Sequence, residues 1–206
     1  MPTFYIDKDT KLPERKPFDF YPTEDAIADL AIQHYISPMA SFYKLQRSKV
    51  LDPGAGSGVW GRALRRMYEG MNIHGVEIRD VTPDVVYNEW YNEDFLTWNC
   101  LPAQYNFIVG NPPYKFAEKF IRKSHHLLRH DGVMVMLLKL SFQTGQRRYE
   151  GFWRELPLYQ LGVLARRPSF TGDGKTGGDE YGLYVWRKGY TEVHRYLTEQ
   201  LTYERT

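Results

Sequence analysis

The stretch from residue 49 to residue 70 limits the folds open to this chain more than any other. Lys49-Val50-Leu51-Asp52 has the character of a short buried strand, and a glycine-rich turn follows it up to Gly58. Residues 58–68 then show helical spacing, with Gly70 as the expected stop. A strand that leads through such a turn into a helix places free backbone N–H groups at the helix N-terminus, where ligands bind in α/β proteins.

The alternation of strand and helix patterns continues along the chain. Further strands are expected at 72–78, 85–87, 106–110 and 133–138, and helices from Thr23 to about 34, at 116–128, at 147–156 and from about Thr191 onward. Two late β-like runs, 159–164 and 181–186, flank a glycine-rich loop and predict a hairpin. The pattern predicts an α/β fold with one doubly wound, mostly parallel sheet and a C-terminal antiparallel hairpin. Residues 1–19 are expected to form an N-terminal arm, and residues 20–206 the domain.

Composition excludes several classes of protein. With 206 residues, of which 42% are hydrophobic and 25% charged, the chain matches an ordinary globular domain. It has no run of about 18 apolar residues and no apolar secretory core near its N-terminus, so we expect a cytoplasmic protein without a membrane helix. The one cysteine, Cys100, excludes an internal disulfide and a Cys-cluster zinc site. Cys100 is expected to be a small buried residue, and no metal site is expected.

The tetrapeptide Asn111-Pro112-Pro113-Tyr114 directly follows the expected strand at 106–110. Two prolines end a strand and hold the chain in an extended turn. Such a turn would present a backbone carbonyl, an amide side chain and an aromatic ring at the carboxyl end of the sheet, where α/β proteins bind ligands. These groups suit a planar amino or amide group. The alternative is a proline-rich turn with a surface tyrosine.

Three acids stand at successive strand ends: Asp52, Glu77 and Asp94. Each alone is typical of a solvated loop carboxylate. Together they suggest a nucleoside site, in which Glu77 accepts ribose hydroxyls and Asp94 accepts an adenine amino group, with Phe95 against the ring. The turn does not fit a dinucleotide, because that fingerprint requires glycine at position 59, where the chain has Val59. Asp52 suits a cation better than a pyrophosphate, so the pattern favours S-adenosylmethionine.

These residues resemble the class I S-adenosylmethionine-dependent methyltransferases, and specifically the amino-methyltransferases with an Asn-Pro-Pro-Tyr motif. The order Phe20-Tyr21-Pro22-Thr23, then 52–58, then 111–114 is similar to that of DNA adenine methyltransferases whose cofactor motif precedes the catalytic one. The stretch 166–175, with Glu180-Tyr181 and Val185-Trp186, is similar to small methyltransferases of phages and prophages. The resemblance covers residues 18 to about 189 and implies a single Rossmann-like methyltransferase domain.

The resemblance also implies roles for individual residues. Catalysis would fall to Asn111, Pro112 and Tyr114: the first two would accept hydrogen bonds from the adenine amino group, and Tyr114 would stack on a base that is flipped out or single-stranded. Phe170 would close the other face of the base, or it could equally plug the core beneath the hairpin. The residues expected to hold S-adenosylmethionine are Tyr21, Thr23, Asp52, Gly54, Gly56, Glu77, Asp94, Phe95 and Asn111. Those expected to contact the substrate are Pro113, Tyr114, Phe170, Arg147, Arg148, Arg167 and Lys175.

The acceptor stays open between several classes. Between Lys115 and Arg154 the chain has nine Lys or Arg and three acids, an excess that suits phosphates but is also typical of a solvated helix face. DNA is the expected partner, with RNA possible. Site-specific DNA methyltransferases usually carry a separate recognition domain, for which this chain has almost no room. The alternatives are methyl transfer to RNA adenine or to a protein glutamine amide, and a non-catalytic nucleic-acid-binding subunit.

Overall fold

The computed structural model describes residues 22–39, 41–170 and 176–204, and its centre is an eight-stranded sheet. Along the chain the strands are β1 (Lys49–Pro53), β2 (Asn72–Val76), β3 (Glu89–Tyr91), β4 (Tyr105–Gly110), β5 (Leu128–Lys139), β6 (Gln160–Leu164), β7 (Tyr181–Arg187) and β8 (Leu197–Leu201). Their order in the sheet is β3-β2-β1-β4-β5-β7-β6-β8. The first five of these neighbours run parallel, and β7 is antiparallel to both β5 and β6. The predicted α/β class and mostly parallel sheet are confirmed.

Helices cover both faces of the sheet. The described helices are α1 (Asp25–Ala31), α2 (Phe42–Leu45), α3 (Val59–Met67), α4 (Ala117–Leu127) and α5 (Trp153–Glu155). A π-helical turn, Ile32–Ile36, continues α1, and another, Arg148–Phe152, precedes α5. Within the described ranges no helix combines the length and apolarity needed to cross a membrane.

Side chains from the central strands alternate between two apolar cores. Val50 and Val109 point to the core under α1 and α3, whereas Leu51 and Ile108 point to the core under α4 and α5. This alternation is the period-2 geometry of a strand. Because both faces are covered, the central strands are almost wholly apolar, and their carboxyl ends form the edge on which polar residues gather.

The third strand was predicted at 85–87, and this is wrong, because β3 is Glu89–Tyr91. Val85 is 98% exposed, and Tyr87 turns inward instead of pairing in the sheet. The Tyr87 ring occupies space that side chains at Gly61 and Gly75 would fill, since a Cβ there would lie 2.8 and 3.0 Å from it. An irregular loop, residues 77–88, therefore joins β2 to β3.

The predicted polar helix from Thr191 is also wrong, because this segment contains β8, which pairs in parallel with β6. Glu199 in β8 accepts hydrogen bonds from Tyr35 Oη at 2.8 Å and from Gln160 Nε2 at 2.6 Å. These long-range bonds and the strand ladder outweigh local helical preference. The hairpin of β6 and β7 is confirmed, although β7 lies inside the sheet and not at its edge.

Smaller corrections concern the first helix and the cysteine. The helix begins at Asp25 with Glu24 at its N-cap, so Thr23 does not cap it. Cys100 is half-buried on a loop and not in the core as expected. The arm expected at 1–19 lies outside the described residues, so that division of the chain stays a prediction.

Candidate active site

The glycine turn after β1 is held in a shape that only glycine adopts easily. Gly54, Gly56 and Gly58 have φ angles of +75°, +60° and +83°, all in the left-handed region. The N–H groups of Gly54 and Ala55 donate to the Val76 carbonyl at 2.8 and 3.0 Å, which ties the turn to the end of β2. The turn therefore lies across the carboxyl ends of two neighbouring strands and leads directly into α3.

Glu77 follows β2 and supports this turn from below. Its Oε2 accepts the N–H of Gly56 at 2.7 Å, and its Oε1 accepts the backbone N–H and Nε of Arg79 at 3.0 and 2.8 Å. The side chain is 4% exposed. A carboxylate has about four acceptor positions, so Glu77 has capacity for a further donor. It is both a brace for the turn and a part of the cleft wall.

A cleft above the turn brings together many of the predicted residues. Its lining includes Thr23, Gly54, Gly56, Glu77, Asp94, Phe95, Asn111 and Pro113. Asp94 is half-buried and its Oδ1 accepts the N–H of Leu96 at 2.9 Å, while Phe95 is buried beside it. The strand ends gather these side chains as the α/β pattern predicts.

The cleft also contains residues that sequence reasoning missed. Trp60, Ile78 and Arg79 line it, and Ile78 is 47% exposed. Ile78 directly follows Glu77 at a strand end, which was a usable signal for an apolar contact. Arg79 had no comparable signal, because its approach depends on the irregular path of the loop 77–88.

Asp52 does not line the cleft and lies beneath the turn, wholly buried. Its Oδ2 accepts a hydrogen bond from Tyr87 Oη at 2.7 Å, and within the described residues its Oδ1 has no hydrogen-bond partner. Burial raises the pKa of Asp52 to about 7; the Tyr87 bond acts against this rise and the Glu77 charge adds to it. Its Oδ1 lies beside the end of β4, 3.6 Å from where a Cβ on Gly110 would be. Tyr87, which holds Asp52, was not predicted.

The tetrapeptide follows β4 directly, as predicted. Asn111 lies half-buried at the cleft, Pro112 is buried, and Pro113 is extended, with φ −55° and ψ 119°. A 3₁₀ turn, Tyr114–Phe116, then leads into α4. The amide side chain and the aromatic ring therefore lie on successive positions of one rigid turn, next to the glycine turn.

Tyr114 lines a second pocket together with Leu138, Lys139, Phe142 and Arg148. Lys139 Nζ lies 5.5 Å from the centre of the Tyr114 ring and pairs with Asp179 at 2.5 Å. This pocket combines an aromatic ring with two cations, which is a suitable composition for a nucleotide.

Phe170 and Tyr114 lie on either side of Tyr181. The Phe170 ring is 5.0 Å from Tyr181, and the Tyr114 ring is 5.8 Å from Tyr181. Phe170 is half-buried and packs against the core under α1 and α3, and its neighbour Ser169 donates its N–H to Glu24. Phe170 thus contributes to the core and also lies near the tetrapeptide, so neither expectation for it is removed.

The predicted phosphate contacts are spread apart. Arg148 reaches the Tyr114 pocket, where its guanidinium lies 4.8 Å from the Phe142 ring and donates to the Thr144 carbonyl at 2.6 Å. Arg147 is exposed. Arg167 lines a different pocket and contacts Glu180 at 3.3 Å. Tyr21 and Lys175 lie outside the described residues. Among the described residues no group of three His, Cys, Asp or Glu could hold a metal ion.

Solved structures identify the class of fold. No protein-family model matches the chain. A protein from Listeria monocytogenes, provisionally assigned as a class I S-adenosylmethionine-dependent methyltransferase, has a TM-score of 0.66 at 12% identity; the match covers 89% of this chain and 66% of that one. The type IIG restriction endonuclease BpuSI has a TM-score of 0.59 at 17% identity, over 83% of this chain and 26% of the endonuclease.

A curated relative supplies a partial sequence match. The type II methyltransferase M.CvrRI of Paramecium bursaria Chlorella virus XZ-6E is 34% identical over 71 residues. The match covers 32% of this chain and 18% of the relative, so it spans less than a fifth of that protein's length. The structural matches are the stronger result: the chain has the Rossmann-like fold of class I S-adenosylmethionine-dependent methyltransferases.

Proposed function

We propose that the protein transfers a methyl group from S-adenosylmethionine to the exocyclic amino nitrogen of adenine in DNA. The observation that supports this most directly is the position of Asn111, which lines the same cleft as Glu77, Asp94 and the glycine turn. An amide acceptor for a planar amino group thus lies beside acceptors suited to a nucleoside. Residues 20–206 would act as one catalytic domain without a separate recognition domain.

The cleft fits an adenosyl cofactor that carries a positive charge. Glu77 has spare acceptor capacity for ribose hydroxyls, and the second oxygen of Asp94 could accept from the adenine amino group, with Phe95 below the ring. The left-handed glycines let a ligand approach the backbone closely. The buried Asp52 carboxyl, with its Oδ1 lacking a partner among the described residues, is a group that a nearby cation would favour in its ionised form.

Bound S-adenosylmethionine would supply an electrophilic methyl group on a positively charged sulfur. The Asn111 side-chain oxygen and the Pro112 carbonyl would accept the two N–H bonds of the adenine amino group and draw its nitrogen toward tetrahedral geometry. The nitrogen lone pair would then form the new N–C bond as the S–C bond breaks, S-adenosylhomocysteine would leave, and one amino proton would pass to solvent. Positioning of this kind can supply up to about 7–11 kcal/mol without a strong base.

The choice of DNA follows from the second pocket and the relatives. Tyr114 would stack on a flipped base, and Lys139 and Arg148 lie beside it. M.CvrRI is a type II methyltransferase and BpuSI a type IIG restriction endonuclease, and both fit an enzyme of DNA modification. RNA adenine, a glutamine amide and a non-catalytic subunit are the outcomes that the test must separate.

The test uses S-adenosylmethionine labelled in its methyl group, with equal amounts of unmethylated DNA, RNA and a release-factor protein. We expect label in DNA as N6-methyladenine. Asn111→Ala should abolish transfer and leave the dissociation constant for S-adenosylmethionine nearly unchanged, whereas Asn99→Ala, at an exposed loop position, should keep full activity. Transfer to protein alone, or cofactor binding without transfer to any acceptor, would refute the proposal.

A further inference from the structure

Phe116 is a large apolar residue that stays exposed beside the tetrapeptide. It ends the 3₁₀ turn that Tyr114 begins, and 39% of its surface is accessible. Lys115 Nζ lies 5.4 Å from the centre of its ring and Lys119 Nζ lies 6.0 Å from it. An aromatic ring open to solvent is therefore flanked by two ammonium groups, two residues after the proposed base-stacking tyrosine.

The cations at the start of α4 fall into two kinds. Arg122 pairs with Glu118 at 3.0 Å and also with Glu155, and Lys123 donates to the carbonyls of Leu96 and Trp98. These two residues hold α4 to its surroundings.

Lys115 and Lys119 have no ion pair within the described part of the chain, and both are exposed. Two unneutralised ammonium groups held near one ring repel each other, and an anion between them would relieve that repulsion. The basic stretch seen in the sequence thus separates into structural cations and cations available to a ligand.

We propose that Phe116 is a stacking platform for the nucleotide next to the target base, and that Lys115 and Lys119 bind the phosphates on either side of it. A base has an apolar face that suits an exposed ring, and its phosphates supply the anions that the lysines lack. The occupant is an unpaired nucleotide of a nucleic-acid strand. The inference rests on the proposed function in taking nucleic acid as the substrate.

The experiment measures binding by fluorescence anisotropy, with a labelled single-stranded oligodeoxynucleotide that contains adenine and with no transfer required. Phe116→Ala should weaken binding at least fivefold, the lower end of the loss of one base stack, and Phe116→Trp should restore it. Lys115→Gln with Lys119→Gln should lower the slope of log affinity against log salt by about 1.4, or roughly 0.7 for each phosphate contact. Leu101→Ala, at a residue that is 73% exposed, is the matched apolar control and should change nothing.

The outcomes separate this inference from the proposed function. If the wild-type protein binds the oligonucleotide and Phe116→Ala binds it equally well, the stacking platform is refuted while DNA methylation stands. If the wild-type protein binds no nucleic acid and methylates only protein, both fail. An unchanged circular-dichroism spectrum and an unchanged affinity for S-adenosylmethionine in Phe116→Ala ensure that a loss of binding is local.

Discussion

Asp52 provides a quantitative test, because it is a wholly buried carboxyl group with a pKa near neutrality. Replacing it with Asn keeps the shape and the acceptor for Tyr87 but removes the ionisation. We expect the free energy of unfolding of the ligand-free wild-type protein to fall, relative to that of Asp52→Asn, as the pH rises toward 7. Any penalty from the buried amide group is the same at every pH, so only the pH-dependent part tests the argument.

The magnitude follows from linkage between protonation and folding. The pKa of Asp52 is about 7 in the folded protein and 3.8 in the reference state. Between these values the folded chain keeps a proton that the unfolded chain has lost, so stability falls with rising pH, by up to about 1.4 kcal/mol for each pH unit. The stabilisation is fully present below pH 3.8 and fully lost above about 7. From pH 5 to pH 8 the expected loss is about 3 kcal/mol.

Urea unfolding at a series of pH values from 5 to 9 measures this difference, and subtracting the two proteins removes the titration of distant groups. Tyr87→Phe is the matched variant: it removes the hydrogen bond that lowers the pKa of Asp52, so the pH at which the loss levels off should move upward. A difference between wild type and Asp52→Asn that is constant from pH 5 to 9 would refute the buried, proton-linked carboxyl.

Two further predictions concern packing and a buried imidazole. Gly75→Ala should lower the free energy of unfolding by about 1–3 kcal/mol, because its Cβ would lie 2.7 Å from Trp90, and Gly177→Ala, where no atom lies within 4 Å, is the thermal-unfolding control. Burial, with a smaller effect of Lys49, lowers the pKa of His74 from 6.5 to about 4, so the wild-type protein should lose stability relative to His74→Gln as the pH falls from 6.5 to 4. Equal stabilities of these two proteins at pH 6.5 and pH 4.5 would contradict that assignment.

The elements that local patterns determine were predictable. The turn after β1, the helix that follows it and the buried strand β5 each depend on glycine placement or an apolar run within a few residues. The failures at β3 and β8 have another origin. Tyr87 leaves the sheet because two glycines distant from it in sequence make room for its ring, and β8 forms because Glu199 meets partners 39 and 164 residues away.

The same distinction applies to the candidate site. Glu77, Asp94 and Asn111 could be placed together, because each follows a strand and parallel strands end at one edge. The depth of Asp52 could not be predicted, since it depends on how the loop 77–88 folds over the turn. Nor could charge counting separate Lys119 from Arg122, because only their partners in space distinguish them.

The position of β7 between β5 and β6 has a consequence for how the chain reaches its native state. Both neighbours of β6 in the sheet, β7 and β8, come later in the sequence, so β6 cannot join the sheet until a strand made after it is in place. Pairing of β7 with β5 joins residues as far apart as Val133 and Arg187 and must overcome the entropy of closing that loop. The last three strands would therefore enter the structure together and late, as one cooperative unit.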